Sequence, residues 1–394
     1  MVSASLPSVP RPILVNLEST LGCNLECVMC GSHLTGVTKL RRSMDPALLR
    51  RVEEELLPGV VDLALTVAGE PFMTPKLGRF VAVAERGGHW LQLNSNATLL
   101  KDSDLLRRVL AQSSALRFSV DGATAETYGS IRGKGDFDRV VENIAMAVAL
   151  RSELPADRRP RLAMCMVLMR RNVHELVQMV ELAHGLGLDQ LEVAHLTVLT
   201  DEMEGESLRH DPETCDQWLR AAQARADALA FRVVLPPLMS GAPLRPRRPT
   251  RARLALQELR RLRSRSLRRV LRRGWHRVSL RLWERRAGGS VPCHFLQSGV
   301  FVTINGDVAP CPMPGRPLAG NLHEASFDEI WNGPILTRMR QGFLTGAPLD
   351  CCAHCSQNPN GYDPADPATA SPAVDVHALA DPEGRGAVAA ARGG

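Results

Sequence analysis

The chain has 394 residues and a mass of 43.0 kDa, with 44% hydrophobic and 23% charged residues. That is globular composition; it excludes wholesale disorder and collagen-like order and suggests one large domain with a smaller one beside it. No apolar run nears the roughly 20 residues of a membrane span. The opening MVSASLPSVPRP lacks the basic and apolar regions of a secretory signal, so a cytoplasmic protein with no membrane span is expected. The net charge of +6 conceals an asymmetry: residues 245–286 carry seventeen Arg against Glu258 and Glu284, a local +15 that leaves −9 for the rest. Ten cysteines are too few for a disulfide scaffold in a chain this long and read better as metal or redox ligands.

After an N-terminal extension (1–11), strand-like apolar runs occur at 12–18, 61–67, 90–94, 115–120, 161–168 and 190–196. Amphipathic helical stretches lie between them near 45–57, 75–86, 101–112, 136–150 and 172–186, and a sixth follows at 211–229; Asp45 and Asp136 are placed as N-caps. Six β-then-α units predict an α/β fold, a partial (β/α)6 TIM barrel over 12–235 with its chemistry at the C-terminal ends of the strands. Six units leave an eight-unit barrel open on one side, with room for a second domain or a substrate. Residues 236–290 form an Arg-rich helical linker or insert. Residues 291–356 read as a small α+β domain. It holds a hairpin with a type I′ turn at Asn305-Gly306 and a helix opened by the capping box Ser326 to Glu329. The Ala-, Pro- and Gly-rich tail, 357–394, is expected to be disordered.

Cys23, Cys27 and Cys30 follow the first strand directly. Structural zinc recruits four protein ligands, whereas three thiolates on a [4Fe–4S] cluster leave one iron open. Zinc or coincidence is the plainer reading; the position at a strand C-terminus favours chemistry.

CxxxCxxC after the first strand, with Met29 inside it, resembles the radical S-adenosylmethionine (SAM) enzymes. Ala68-Gly69-Glu70-Pro71 at the second strand end is similar to the family's GGEP motif, with Ala replacing its first Gly. Asn94-Ser95-Asn96 ends the third strand and Ser119-Val120-Asp121-Gly122 the fourth. The resemblance implies that Cys23, Cys27 and Cys30 hold a SAM-binding [4Fe–4S] cluster. It implies that Gly69, Glu70 and Pro71 serve the methionine amine, that Asn94, Asn96, Ser119 and Asp121 lie along the cofactor, that Arg132 reaches its carboxylate, and that Leu196 touches the adenine. The implied reaction is one-electron cleavage of SAM to a 5′-deoxyadenosyl radical that abstracts hydrogen from an unactivated C–H, with flavodoxin or ferredoxin as electron donor.

A second group comprises Cys293, Cys311, Cys351, Cys352 and Cys355. On chemistry alone, zinc and a second [4Fe–4S] auxiliary cluster are comparable. The run from Cys293 through Cys355 resembles the SPASM domain in its shorter twitch form, which implies an auxiliary cluster on Cys293, Cys311, Cys352 and Cys355 with Cys351 spare.

Cys165 and Cys215 read by default as small buried hydrophobes. The sharper reading makes Cys165, or Cys351, a hydrogen-atom donor to a substrate radical. His195 is as readily structural as a base. Asp201, Glu202, Glu204 and Glu206 form either a solvated loop or a site for a cationic group. The Arg-rich insert is read first as a solvated linker, then as a site for a phosphorylated substrate or acidic partner; no aromatic interleaving supports nucleic acid, and a basic amphipathic membrane anchor stays open.

The expected activity is dehydrogenation or epimerisation of a small-molecule substrate, a sugar or aminocyclitol, in natural-product biosynthesis. Twenty-two residues before Cys23 leave no room for a peptide-recognition domain, and five C-terminal cysteines fall short of a two-cluster maturase. The alternative is a maturase of a ribosomally synthesised peptide or protein.

Overall fold

The computed structural model describes residues 7–65, 68–101, 103–241, 267–313, 316–353 and 355. The expected disorder of 357–394 and the first part of the Arg-rich insert lie outside these residues.

Ten strands form one sheet. They are β1 (Leu14–Leu17), β2 (Asp62–Ala64), β3 (Trp90–Ser95), β4 (Ser113–Ser119), β5 (Arg161–Leu168), β6 (Gln190–His195), β7 (Arg232–Val234), β8 (Gly299–Val302), β9 (Asp307–Ala309) and β10 (Gly320–Asn321). Strands β1 to β7 are parallel and neighbours in chain order, so the expected partial barrel is present. The short seventh strand pairs with β6 beyond the six expected. At three residues, with Arg232 and Val234 exposed and only Val233 half-buried, it carries too little apolar pattern to stand out in the sequence.

The helical stretches form where amphipathic spacing placed them. Asp45 caps Pro46–Arg51 by accepting from Ala47 N, and the helix continues as a π turn over Val52–Leu56. Asp136 caps Phe137–Glu153. One further helix, Ala125–Arg132, is capped by Thr124 and buries Tyr128, Ile131 and Arg132. The period-two alternation of the strands sorts their faces. Leu91, Leu93, Leu116, Phe118, Leu162, Met164 and Leu191 are buried beneath the outer helices, while Gln92, Asn94, Arg117, Ser119, Cys165 and Glu192 take the opposite, inner face.

The C-terminal unit continues the barrel sheet. Strand β8 pairs in parallel with β1, Leu14 opposite Gly299 through Leu17 opposite Val302, and β9 and β10 extend the edge antiparallel. The β8–β9 turn differs from expectation. Gly306 has φ +87, Asn305 stays at negative φ, and Thr303 N donates to Asp307 O at 2.9 Å. The connection is a four-residue loop with a glycine in the left-handed position, not a two-residue type I′ turn. The capping box of Ser326 and Glu329 forms as read.

Residues 7–10 lie across this unit: Trp283 Nε1 donates to Pro7 O at 2.8 Å and Trp331 Nε1 to Pro10 O at 3.1 Å. Buried Arg340 stacks over Trp331, 4.3 Å from the ring centroid, and donates to the carbonyls of Leu296 and Trp331. A single apolar core therefore runs from Val9 to Cys352.

Candidate active site

The loop after β1 carries Cys23, Cys27 and Cys30 and is held on three sides. Cys23 N donates to Thr38 O at 3.3 Å, and Val28 N donates to Ile131 O at 3.0 Å, at the C-terminal end of helix Ala125–Arg132. On the third side Glu70 N donates to Gly22 O at 2.7 Å. That last contact explains Gly69. Its φ is +75, and a Cβ there would sit 2.6 Å from Thr20 O and 2.7 Å from Gly22 O. Gly122 is similarly constrained, since a Cβ would sit 2.5 Å from Tyr128 N.

Two neighbours donate to the thiols. Asn96 Nδ2 lies 3.8 Å from Cys23 Sγ and Arg132 Nη1 lies 3.6 Å from Cys27 Sγ. Burial pushes the Cys27 thiol up to about 11, with the Arg132 charge pulling the other way. Burial raises Cys23 too. An all-sulfur donor set suits iron–sulfur chemistry, and hydrogen bonds to sulfur are the means by which a protein tunes such a cluster. Among the described residues no group of three His, Cys, Asp or Glu is placed to hold a single metal ion. An open pocket of about 370 Å³ adjoins the loop, lined by Cys23, Glu26, His33, Lys39, Arg41 and Lys134 among others. Half-buried Met29 lies within the same loop.

Behind the loop, strand ends are tied by buried polar groups. Glu70 is 2% exposed. Its carboxylate accepts from Phe72 N at 3.0 Å, Ser95 Oγ at 2.9 Å and Asn96 N at 2.7 Å, so it joins the ends of β2 and β3. These bonds fix the carboxylate that the resemblance assigns to the cofactor amine. Pro71 opens the short turn that Glu70 caps. Asn96 also donates to Asn24 Oδ1 and accepts from Thr98 N and Oγ1. The chain then turns through Ala97 at φ 60, secured by Ser95 Oγ and Asn143 Nδ2. Asp121, fully buried at the end of β4, accepts from Val167 N at 2.7 Å and pairs with Arg132. Burial works against the Arg132 charge, but Asp121 first and then Cys27 outweigh it and hold the guanidinium protonated. Arg132 Nε has no partner.

Other expected residues spread along the inner barrel wall. Asn94 opposes Arg117 in register, and Ser119 opposes Cys165. Leu196 is half-buried just past β6. Cys165 Sγ lies 3.9 Å from Glu192 Oε2, and Glu192 pairs with Arg117 at 3.0 Å. Burial, then Glu192, pushes the Cys165 thiol up to about 12, so it stays protonated. Cys215 is fully buried. His195 donates from Nε2 to Pro237 O at 2.8 Å, and burial keeps the ring neutral. The acidic run is partly neutralised by its own surroundings, Glu204 by Arg209 and Glu206 by Arg171, and His210 Nε2 also contacts Glu204.

The second thiol group gathers around a residue that sequence reading missed. Arg316 is 8% exposed with an unpartnered Nε. Burial opposes its charge, but the neighbouring Cys311, Cys351, Cys352 and Cys355 raise its pKa on balance. It hydrogen-bonds the thiols of Cys311 and Cys351, and its charge also reaches Cys293. Cys351 Sγ lies 3.8 Å from Cys352 Sγ, so it belongs to this group. Five thiols around a buried cation suit a thiolate-bound cluster of net negative charge. The available signal was a lone Arg in the Pro- and Gly-rich run 312–320 that follows Cys311.

Comparison with known proteins agrees with this arrangement. A profile of the Radical SAM superfamily matches residues 17–183, and a profile of the SPASM iron-sulfur cluster-binding domain matches residues 293–356. The chain therefore carries a radical SAM domain followed by a C-terminal SPASM domain. Its cofactors are accordingly a [4Fe–4S] cluster, SAM and auxiliary iron–sulfur.

Three curated relatives are informative. AdoMet-dependent heme synthase of Methanosarcina barkeri is 29% identical over 45% of this chain and 48% of its own length. PqqA peptide cyclase of Ruegeria pomeroyi is 31% identical over 48% of each. Mycofactocin maturase MftC of Mycobacterium ulcerans is 25% identical over 87% of this chain and 80% of its own. The chain thus spans about half the length of the first two relatives. Streptococcus suis SuiB bound to precursor peptide SuiA shares the fold, with a TM-score of 0.56 at 15% identity over 84% of this chain and 67% of that one. No helix among the described residues is long and apolar enough to cross a membrane.

These relatives overturn the expected small-molecule dehydrogenase or epimerase and its small-molecule substrate. That expectation rested on where the chain begins and on the C-terminal thiol count, and neither reports on the cavity that receives a substrate.

Proposed function

We propose that the protein is a radical SAM maturase that modifies a ribosomally synthesised peptide. The observation that carries this reading is the similarity to mycofactocin maturase, which extends over 358 residues and through both the barrel and the SPASM unit. The similarity to PqqA peptide cyclase supports it. Cys23, Cys27 and Cys30 hold the first cluster, and Cys293, Cys311, Cys352 and Cys355 an auxiliary one. Together the first cluster and SAM supply one-electron cleavage and a hydrogen-abstracting radical.

The chain's own residues do the positioning. Asn96 and Arg132 donate to cluster sulfurs, and Arg132 keeps its free Nε for an anionic group such as the cofactor carboxylate. Asp121 fixes the Arg132 guanidinium. Glu70 holds two strand ends at a fixed separation beside the cluster loop. On this reading an extended peptide enters along the inner wall, where Cys165, Glu192 and Arg117 lie.

The test is anaerobic incubation with SAM, a reductant and each short peptide that the genes neighbouring this one encode. The expected result is peptide-dependent 5′-deoxyadenosine and a peptide mass changed by loss of hydrogen. Unchanged peptide, with 5′-deoxyadenosine formed equally in its absence, would contradict the reading.

A further inference from the structure

Helix Leu267–Ala287 has two apolar faces, and among the described residues only one is covered. The inner face buries His276, Leu280 and Trp283 at 7%, 8% and 4% exposure. Its contacts place it at the N-terminal ends of the barrel strands. Arg273 pairs with Asp62, the first residue of β2; Arg272 donates to Val60 O; His276 Nε2 meets Ser298 Oγ, just before β8. The outer face carries Leu271, Trp275, Val278 and Leu282, at 54%, 73%, 51% and 49% exposure. Their spacing of four, three and four residues makes one continuous stripe on a helix. Exposed Arg277, Arg281 and Arg285 flank one side of the stripe and Arg286 the other. Glu284, the helix's one acid, is turned to Ser290 and Gln297.

We propose that this face docks on the surface of an anionic lipid bilayer, with the helix lying in the interface. The charge pattern selects that occupant. An apolar stripe with an exposed Trp, bordered by arginines, matches apolar insertion beneath negatively charged headgroups. A second copy of the chain would bring arginine borders against each other. The preceding segment, residues 242–266, holds nine Arg and one acid and is repelled for the same reason. A peptide substrate would be held at the wrong end, since Cys23 and Glu70 follow the C-terminal ends of β1 and β2. The inference stands independently of the maturase reading.

The test is co-sedimentation of the full, cluster-loaded chain with vesicles of phosphatidylcholine and phosphatidylglycerol, against pure phosphatidylcholine. Binding is expected only to the anionic vesicles and to weaken with added salt. Trp275→Ser combined with Leu282→Ser should lower partitioning by at least about tenfold. Arg281→Glu combined with Arg285→Glu should do so to a similar extent, about tenfold or more. All four positions are exposed, and unchanged iron content and circular dichroism confirm the fold of each variant. Absence of binding to anionic vesicles, or binding unaltered in both variants, would overturn the proposal. So would a concentration-dependent dimer that Trp275→Ser dissociates without any vesicle binding.

Discussion

Glu18→Gln isolates the joint between the barrel and the SPASM unit. Glu18 follows β1 and is 8% exposed, and its Oε2 accepts from Ile304 N at 3.1 Å in the β8–β9 loop. Burial raises its pKa from 4.5 to about 7; the Ile304 N–H works against the rise. Between those values the folded chain keeps a proton that the unfolded chain has released, so stability falls as pH rises from 4.5 to about 7 and the loss is complete above. The interval corresponds to about 3 kcal/mol. Gln keeps an acceptor for Ile304 N–H and cannot ionise. The two proteins should therefore match near pH 4.5, and the variant should become the more stable by about 3 kcal/mol at pH 8. Denaturant midpoints at equal cluster loading, taken across this range, measure the difference. Parallel pH profiles, or a variant less stable at pH 8, would refute the reasoning.

Removing either partner of the Asp121–Arg132 pair should cost about 3–5 kcal/mol, because each leaves a buried ion alone; combining Asp121→Asn with Arg132→Met should recover much of the loss in a double-mutant cycle. Gly69→Ala places a Cβ against Thr20 O and Gly22 O at a positive φ. It should displace the thiol loop and abolish SAM-induced spectral change while the SPASM cluster stays loaded, as iron analysis and electron paramagnetic resonance will show. Arg316→Met removes the buried cation among the C-terminal thiols and should lower the auxiliary cluster's reduction potential by roughly tens of millivolts, read by spectroelectrochemistry.

The barrel was legible because its signals are local and repeated. Each of the first six strands lies within two or three residues of its apolar run, and Asp45, Asp136 and Ser326 cap the helices they announced. Helix Ala125–Arg132 escaped notice because one of its buried positions is Arg132 and it contains Gly129, so its apolar face is short of a recognisable stripe. The pairing of β8 with β1 joins residues almost three hundred apart, and neither segment's sequence specifies its neighbour. At the site, the thiols could be found from their spacing and the strand-end motifs from the family resemblance. What each polar group bonds to could not: Glu70 facing Ser95 and Asn96, and Arg316 among five thiols, arise only when separate strand ends and loops converge. The substrate class was misjudged because the side chains lining the open side come from separate strands and loops, which no local motif identifies.

The account depends on Cys23, Cys27 and Cys30 holding a cluster that SAM contacts directly. Electron paramagnetic resonance of the reduced, oxygen-free protein, with and without SAM, measures this most directly. The first cluster's signal should shift on adding SAM, and that shift should vanish in Cys27→Ala while the auxiliary signal survives. A mononuclear metal at these thiols, or a cluster signal indifferent to SAM, would contradict it.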